Sequence, residues 1–256
     1  MKKTGFLVCM LVCGFWLNAQ DAASIVTTSR NRIQADTVST RSRMEIRARN
    51  GQVTERVIDQ YEKDGNAGNR TVIVFQSPAS VAGTRFLTME NPGNADDRWI
   101  FLPSLGRVRR IAASEGSSSF MGTDLSYDDI SSMNRDVNLD THRVLREEVL
   151  NGNPCFVIES VPRDNSYQYS RMVQWINRNN HVMHKVELYD RRGGSLAKVL
   201  EILELRDIQG RLSAVRSRMS TISAGTSTTI FADILRYDDP IPESVFTLAF
   251  LETGRP

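Results

Sequence analysis

Most of the chain alternates apolar and polar residues with a period of two. Residues 44–48 (MEIRA) alternate in this way, Asn50 and Gly51 supply a tight turn, and residues 53–61 run back as a second strand. Successive side chains of a strand point to opposite faces, so alternation is typical of a sheet that is buried on one side. The pattern therefore predicts β-hairpins from the first part of the chain onward.

Further strands follow at short intervals and are separated by turns rich in Gly, Pro, Asn and Asp. They are predicted over residues 71–76, 84–89, 98–102, 143–150, 155–161, 172–176, 182–189, 197–205, 212–220 and 226–235. About ten strands at this spacing favour one large antiparallel sheet over several small ones. Such a sheet buries one face either by closing into a barrel or by curling around helices.

Three segments break this period. Residues 21–35 place scattered apolar residues among polar ones and predict a short amphipathic helix. Residues 114–134 have little period and predict a loop or a short helical lid, and residues 240–250 predict a closing helix or an extended arm. No internal repeat and no Pro- or Gly-rich linker divides the chain, so residues 21–256 are expected to form a single domain.

The N-terminus has the pattern of a secretory signal peptide. Lys2 and Lys3 precede an apolar run over residues 6–17, and Ala19 supplies a small residue near the cleavage point. The run is shorter than the roughly 20 residues that a membrane-spanning helix needs, which disfavours the alternative of a membrane anchor. We expect residues 1–20 to be removed and the mature protein to be periplasmic.

Charge and cysteine content then exclude several classes of function. Removal of Lys2 and Lys3 lowers the formal net charge from +2 to 0, so bulk charge gives no reason to expect a nucleic-acid partner. Cys155 is the one cysteine beyond the signal sequence, which leaves no intramolecular disulfide and no thiolate metal site.

Motifs for catalysis or metal binding are missing from the sequence. His181 and His184, three residues apart in a strand, point to opposite faces and cannot chelate one ion, and His142 lies far away in sequence. No nucleophile elbow or phosphate loop is present. The acidic run DLSYDD (residues 124–129) lacks the glycine and the terminal glutamate of an EF-hand, and predicts a capped helix start. We expect a protein that is not an enzyme and holds no metal or cofactor.

One segment, WIFLPSLGRVRRI over residues 99–111, places an aromatic strand beside the basic cluster Arg107, Arg109 and Arg110. If the chain continues extended through Gly106, Arg107 and Arg109 share one face and Arg110 lies on the other. Two interpretations remain open. The arginines either protect an exposed sheet edge or bind an anion, such as a phospholipid headgroup or an acidic partner surface.

The same segment resembles a known family. Residues 97–111 (DRWIFLPSLGRVRRI) and 117–129 (SSSFMGTDLSYDD) are similar to the signature of LolA-like periplasmic proteins, the outer-membrane lipoprotein-sorting family. Weaker similarity extends to SPASVAGT (residues 77–84), ELYD (residues 187–190) and IPESVF (residues 241–246). The founding lipoprotein carriers are shorter and lack the arginine-bearing segment, so the resemblance is to a less characterised branch.

The resemblance implies a mainly β fold with flanking helices, in which an unclosed, strongly curved antiparallel β-barrel carries a helical plug or lid. It also implies a periplasmic carrier or chaperone that binds lipid, or the acyl chains of lipoproteins, in an apolar cavity and moves them between envelope membranes. Implied partners are a lipid or lipidated protein and an inner-membrane transporter or outer-membrane acceptor. We expect a monomer. The alternative is a non-enzymatic accessory subunit of an envelope complex without cargo of its own.

The candidate site residues follow from this resemblance and from the basic cluster. Arg107, Arg109 and Arg110 are the candidates for contact with a headgroup or partner. The candidates for the apolar cavity are aromatic and aliphatic residues of the predicted strands and lid: Val72, Val74, Phe86, Trp99, Phe101, Phe120, Met121 and Trp175.

Overall fold

The computed structural model describes residues 19–65, 68–91, 96–131 and 135–256. Within these residues the strands are β1 (Thr37–Arg47), β2 (Val53–Lys63), β3 (Arg70–Ser77), β4 (Arg85–Met89), β5 (Asp97–Leu102), β6 (Arg107–Arg110), β7 (Asp140–Leu150), β8 (Asn153–Pro162), β9 (Tyr169–Asn177), β10 (Met183–Asp190), β11 (Leu196–Ile208), β12 (Arg211–Thr221) and β13 (Thr226–Tyr237). They form one 13-stranded sheet in the order β6-β5-β4-β3-β2-β1-β13-β12-β11-β10-β9-β8-β7. The two ends of this order do not pair with each other, so the barrel is unclosed.

Helices are short and lie at the start, middle and end of the chain: α1 (Ala19–Arg30), α2 (Tyr127–Ser131) and α3 (Leu248–Thr253). Helix α1 ends five residues before the predicted boundary at Ala35. The segment predicted as a closing helix or arm contains both a 3-10 helix (Glu243–Phe246) and α3. Most of the predicted signal peptide, residues 1–18, lies outside the described residues.

Two strand predictions need correction. Strand β1 begins at Thr37, not at Met44, because its first half carries polar residues such as Thr40 and Ser42 on the inward side and so lacks the alternation. The chain also does not continue extended through Gly106. Gly106 adopts a φ of +61°, and its N–H donates to the carbonyl of Leu102 at 3.0 Å, so β5 and β6 form a tight hairpin.

Neighbouring strands place their apolar residues in two rows, one on each face of the sheet. Ile73 of β3, Phe86 of β4 and Ile100 of β5 pair directly across the strands and contact residues 111–131, which we call the plug segment. We call this the inner face. The next residues along the same strands, Val72 and Leu87, point to the outer face and pack with other residues.

The sheet curls tightly around the plug segment. Asp128 accepts a hydrogen bond from Arg98 of β5 at 2.7 Å, while the adjacent Asp129 accepts one from Tyr169 of β9 at 2.7 Å. Strand β5 is second and β9 eleventh in the strand order. At about 4.8 Å per strand, a flat sheet would hold these strands about 43 Å apart. Neighbouring residues can reach both strands only if the sheet wraps around them, so the predicted strongly curved, unclosed antiparallel barrel with a helical plug is confirmed.

Polar contacts hold the plug segment to the strands in the middle of the sheet. The buried carboxylate of Asp124 accepts hydrogen bonds from Thr221 of β12 and from Thr226 and Thr228 of β13, at 2.6 Å from Thr221 and 2.8 Å from Thr228. Asp129 also accepts from the Lys198 ammonium at 2.7 Å. Charge-assisted bonds of this kind are among the strongest hydrogen bonds in proteins, so the plug segment is firmly anchored to the sheet.

Two further segments cover the rest of the sheet. Helix α1 buries Ala22 and Val26 against Ile158 of β8 and Ile176 of β9 on the inner face. The C-terminal residues 240–253 lie on the outer face instead, where apolar residues of the arm such as Phe246 cover β3 to β6. Each edge region of the sheet is thus covered on at least one face.

Replacing Asp124 with Ala should lower the free energy of unfolding by about 3 kcal/mol, because three threonine hydroxyls lose a buried charged acceptor. Urea denaturation monitored by circular dichroism measures this change. Asp233→Ala, at an exposed position of β13, serves as the control and should change stability by no more than about 0.5 kcal/mol. Equal effects of the two substitutions would contradict the anchoring role of Asp124.

Candidate functional site

The aromatic strand of the WIFLPSLGRVRRI segment faces outward. Trp99 and Phe101 of β5 and Val108 of β6 pack beneath the C-terminal arm. Arg85 fixes this arm by stacking its guanidinium 4.3 Å from the centre of the Phe101 ring and donating to the carbonyl of Leu251 at 2.6 Å. The apolar side of the segment therefore holds the C-terminus on the sheet.

Two of the three arginines in the segment are engaged within the chain. Arg109 donates to both carboxylate oxygens of Glu115, at 3.0 and 3.1 Å, and Arg110 bonds to Asp97. Arg107 is exposed and has no ion pair among the residues that the structure describes. The alternation predicted for the arginines holds within β6, since Arg109 pairs with Ile100 on the inner face and Arg110 with Trp99 on the outer face.

Three of the predicted cavity residues come together on the inner face. Phe86 and Phe120 lie 5.2 Å apart between ring centres, and Phe120 also contacts Phe75 at 5.6 Å and Tyr127 at 5.6 Å. Met121 packs beside them, and its carbonyl accepts a hydrogen bond from Arg56. Since Phe86 and Phe120 are at most 1% exposed, the plug segment fills this end of the curved sheet.

The other predicted residues lie on the outer face and do not meet the first three. Val72 and Val74 pack with Trp99 under the C-terminal arm. Trp175 belongs to a separate outer cluster with Cys155 and Val157, and its indole N–H donates to Glu148. An antiparallel sheet that is apolar on both faces gives the same hydrophobicity at odd and even positions, which is why alternation could not separate the two sets.

Two open cavities lie at the opposite end of the strands. A cavity of about 620 Å³ is lined by the end of α1, by the linker to β1 and by the ends of β1 and β2: Arg30, Asn31, Ile33, Gln34, Ala35, Asp36, Thr37, Val38, Glu62, Lys63, Asp64 and Asn69. A second cavity of about 540 Å³ shares Asp36, Thr37, Lys63 and Asp64 with it and extends to residues 238–241. We call this region the mouth.

Hydrogen bonds from the linker hold the mouth open. Thr37 donates to the carbonyl of Asp239 at 2.7 Å, the backbone N–H of Asp36 donates to Asp238 at 2.9 Å, and Arg211 donates to the carbonyl of Gln34 at 3.2 Å. These bonds connect residues 31–37 to the ends of β12 and β13. The cavity wall is therefore built from segments far apart in sequence and fixed by hydrogen bonds between side chains and the backbone.

Two charged side chains of the mouth, Glu62 and Arg30, are shielded from solvent. Loss of solvent raises the pKa of Glu62 above its ordinary value of 4.5, and a hydrogen bond from Gln60 opposes this shift only in part. Desolvation also lowers the pKa of Arg30, an effect that the negative charge of Asp140 opposes. Both groups border the larger cavity, and perturbed titratable groups in a cavity mark a candidate functional site.

In the described ranges no group of three or more His, Cys, Asp or Glu side chains is arranged to hold a metal ion. The acidic run forms a helix cap: Ser126 and Asp129 exchange side-chain-to-backbone hydrogen bonds of 2.8 and 3.0 Å at the start of α2. None of the helices described has the length and apolarity to cross a membrane.

Solved structures with this architecture are known. A domain described as an outer-membrane lipoprotein-sorting protein, from Vibrio parahaemolyticus, is 27% identical, covers 92% of this chain and 100% of its own, and superposes with a TM-score of 0.86. A DUF1329 family protein from Desulfovibrio piger is 28% identical over 91% of this chain and 98% of its own, also with a TM-score of 0.86. A LolA superfamily protein from Nitrosomonas europaea shares the fold at 22% identity and a TM-score of 0.71, over 88% of this chain and 97% of its own.

A family model described as "Uncharacterized protein" matches residues 67–253, which is most of the chain. The chain belongs to the family that this model describes, and its fold is LolA-like. Comparison with curated proteins gives no match. The resemblance stated from the sequence is thus confirmed at the level of family and fold.

The mouth of this LolA-like chain was missed in the sequence because its residues belong to no motif. A signal was present nevertheless. Pairing of β1 with β2 places Val38 opposite Glu62, and pairing with β13 places Val38 opposite Tyr237. The register of these strands brings the start of β1 and the ends of β2 and β13 to the same edge of the sheet.

Glu62→Gln should make stability less dependent on pH. Because the pKa of Glu62 is raised in the folded state, its favourable contribution is complete below its ordinary value of 4.5 and is lost as the pH rises through the folded value. Thermal melts across this range should show the variant gaining stability relative to the wild type as the pH increases. A constant difference at every pH would contradict desolvation of this carboxyl group.

Proposed function

We propose that this LolA-like protein is a non-enzymatic carrier that binds the acyl chain of a lipid or lipidated protein and moves it between envelope membranes. The observation that carries the proposal is the cavity of about 620 Å³ at the mouth, in a fold shared with a relative described as a lipoprotein-sorting protein. Its volume lies within the range of about 300–1,000 Å³ typical of small-molecule sites.

The physical need for such a carrier is simple. Each CH₂ group of an acyl chain left in water costs about 0.8 kcal/mol, so a chain crosses an aqueous compartment only if a protein covers it. Ile33, Ala35 and Val38 give the cavity an apolar part, and the surrounding polar residues suit the end of the ligand that remains near water.

The proposed compartment is the periplasm. The N-terminal basic and apolar pattern supports export, and the resemblance to LolA-like periplasmic proteins agrees with it. An inner-membrane transporter as donor and an outer-membrane acceptor would then be the partners, with the carrier acting as a monomer. No cofactor is part of this proposal.

Phe86, Phe120 and Met121 have a conditional role in this proposal. Phe86 lies on the inner face beneath the plug segment, whereas Phe120 and Met121 belong to the plug segment and pack against that face. An acyl chain longer than the mouth cavity would contact them only after the plug segment moves. The mouth is therefore the proposed first contact, and the aromatic cluster a second one.

Arg107 remains the proposed contact for an anionic membrane or protein surface. It lies at the β5–β6 turn beside Leu105, which is 54% exposed, and the neighbouring arginines already have acidic partners. An accessory subunit without cargo would use this turn alone. The two functions separate by experiment, since only the carrier requires the mouth.

Ala35→Trp tests the carrier function by placing an indole in the mouth. Ala214→Trp, at an exposed position of β12 on the sheet surface, is the matched control. In titrations of delipidated protein with a fluorescent acyl probe, we expect Ala35→Trp to weaken binding at least about 10-fold and Ala214→Trp to leave it within about 2-fold. Native mass spectrometry of wild-type protein purified without detergent should show bound lipid.

Wild-type protein that neither carries lipid nor binds the probe would overturn the carrier function and favour the accessory subunit. Binding that both tryptophan variants retain would place the cargo outside the mouth.

A further inference from the structure

Arg30, the last residue of α1, is an unpaired cation in the wall of the larger cavity. It makes no hydrogen bond or ion pair within the ranges that the structure describes, and its buried Nη1 atom has no acceptor. Desolvation lowers the pKa of its guanidinium. A desolvated charge without a partner is costly, so its presence needs an explanation.

Asp140 is the carboxylate whose charge acts most strongly on Arg30, but no hydrogen bond joins the two side chains. The fully buried side chain of Asp140 accepts two hydrogen bonds on its Oδ1 atom from Arg135, at 3.0 and 3.1 Å, and its Oδ2 atom has no partner. Arg135 also stacks 4.1 Å from the centre of the Tyr167 ring. Arg135 and Asp140 thus pair with each other, and no ion pair to Arg30 is present among the described residues.

Other charged groups around the cavity are either occupied or acidic. Lys63 is bonded to Glu243 on the outer side, and the remaining charged residues of the lining are Asp36, Glu62 and Asp64. Asp136, whose charge also acts on Arg30, already accepts from the backbone and the side chain of Asn138. Among the described residues, Arg30 is therefore the one cation of the lining that has no acidic partner.

We propose that Arg30 binds a carboxylate or phosphate group of the cargo, so that the ligand is an amphiphile with an anionic oxygen group at the end of its apolar chain. The guanidinium fork donates two parallel hydrogen bonds to either group. Ile33, Ala35 and Val38 lie along the same cavity and cover the first part of the chain.

This inference rests on the proposed carrier function and narrows its cargo. It also moves the cationic headgroup contact from the arginines of the β5–β6 hairpin to the mouth. There the cation and the apolar lining belong to one cavity, whereas Arg109 and Arg110 already have acidic partners.

Three ligands with the same chain test the proposal: laurate, dodecyl phosphate and dodecanol. We expect delipidated wild-type protein to bind laurate, dodecyl phosphate or both at least about 10-fold more tightly than dodecanol, measured by displacement of a fluorescent acyl probe. Arg30→Gln should remove this preference and leave dodecanol binding unchanged. Arg192→Gln, which removes the same charge at an exposed turn between β10 and β11, should retain the preference.

The outcomes distinguish failure of the proposed role of Arg30 from failure of the proposed carrier function. Equal binding of all three ligands by the wild type would overturn the role of Arg30 and leave the carrier function intact, whereas no binding of any ligand would overturn both. A preference for only one anionic ligand identifies carboxylate or phosphate as the group that is bound. The alternative, in which Arg30 turns to the free oxygen of Asp140, predicts that Arg30→Gln lowers the melting temperature and leaves the headgroup preference intact.

Discussion

The curvature of this sheet depends on three buried or partly buried carboxylates in the plug segment. Asp124, Asp128 and Asp129 bond to strands on both sides of the barrel, and each has a hydroxyl or cationic partner. Apolar packing alone would allow the sheet to slide over the plug, because hydrophobic contacts have little directionality. Hydrogen bonds between fixed pairs define the position of the plug, and therefore the width of the open barrel.

The two faces of the sheet have different roles because different segments of the chain cover them. The inner face takes the plug segment at one end and α1 along β7 to β10, while the outer face holds the C-terminal arm over β3 to β6. Elsewhere the outer face carries pairs of opposite charge, such as Arg146 with Glu148 and Arg218 with Glu201. Such exposed pairs add little stability but keep a long sheet soluble and discourage pairing with other chains.

The candidate site follows from this arrangement. Because the plug fills one end, open volume remains at the other end, where the linker from α1 to β1 crosses the ends of β12 and β13. The same crossing brings Arg30 to the cavity wall, since α1 ends where the linker begins. A carrier with this design would bind cargo at the mouth without disturbing the contacts that hold the sheet together.

The sequence by itself determined the mainly β character of the chain, most of its strands and the family, since alternation and the segment at residues 97–111 depend only on local residue order. It also indicated the capped helix start at Ser126, because a capping pair is a local contact. Only the tertiary structure decided which face of β3 to β5 points inward, since Val72 and Ile73 are equally apolar. The mouth was likewise beyond local patterns, because its residues from α1, β1, β2 and the end of β13 meet only when the sheet curls and its register is fixed.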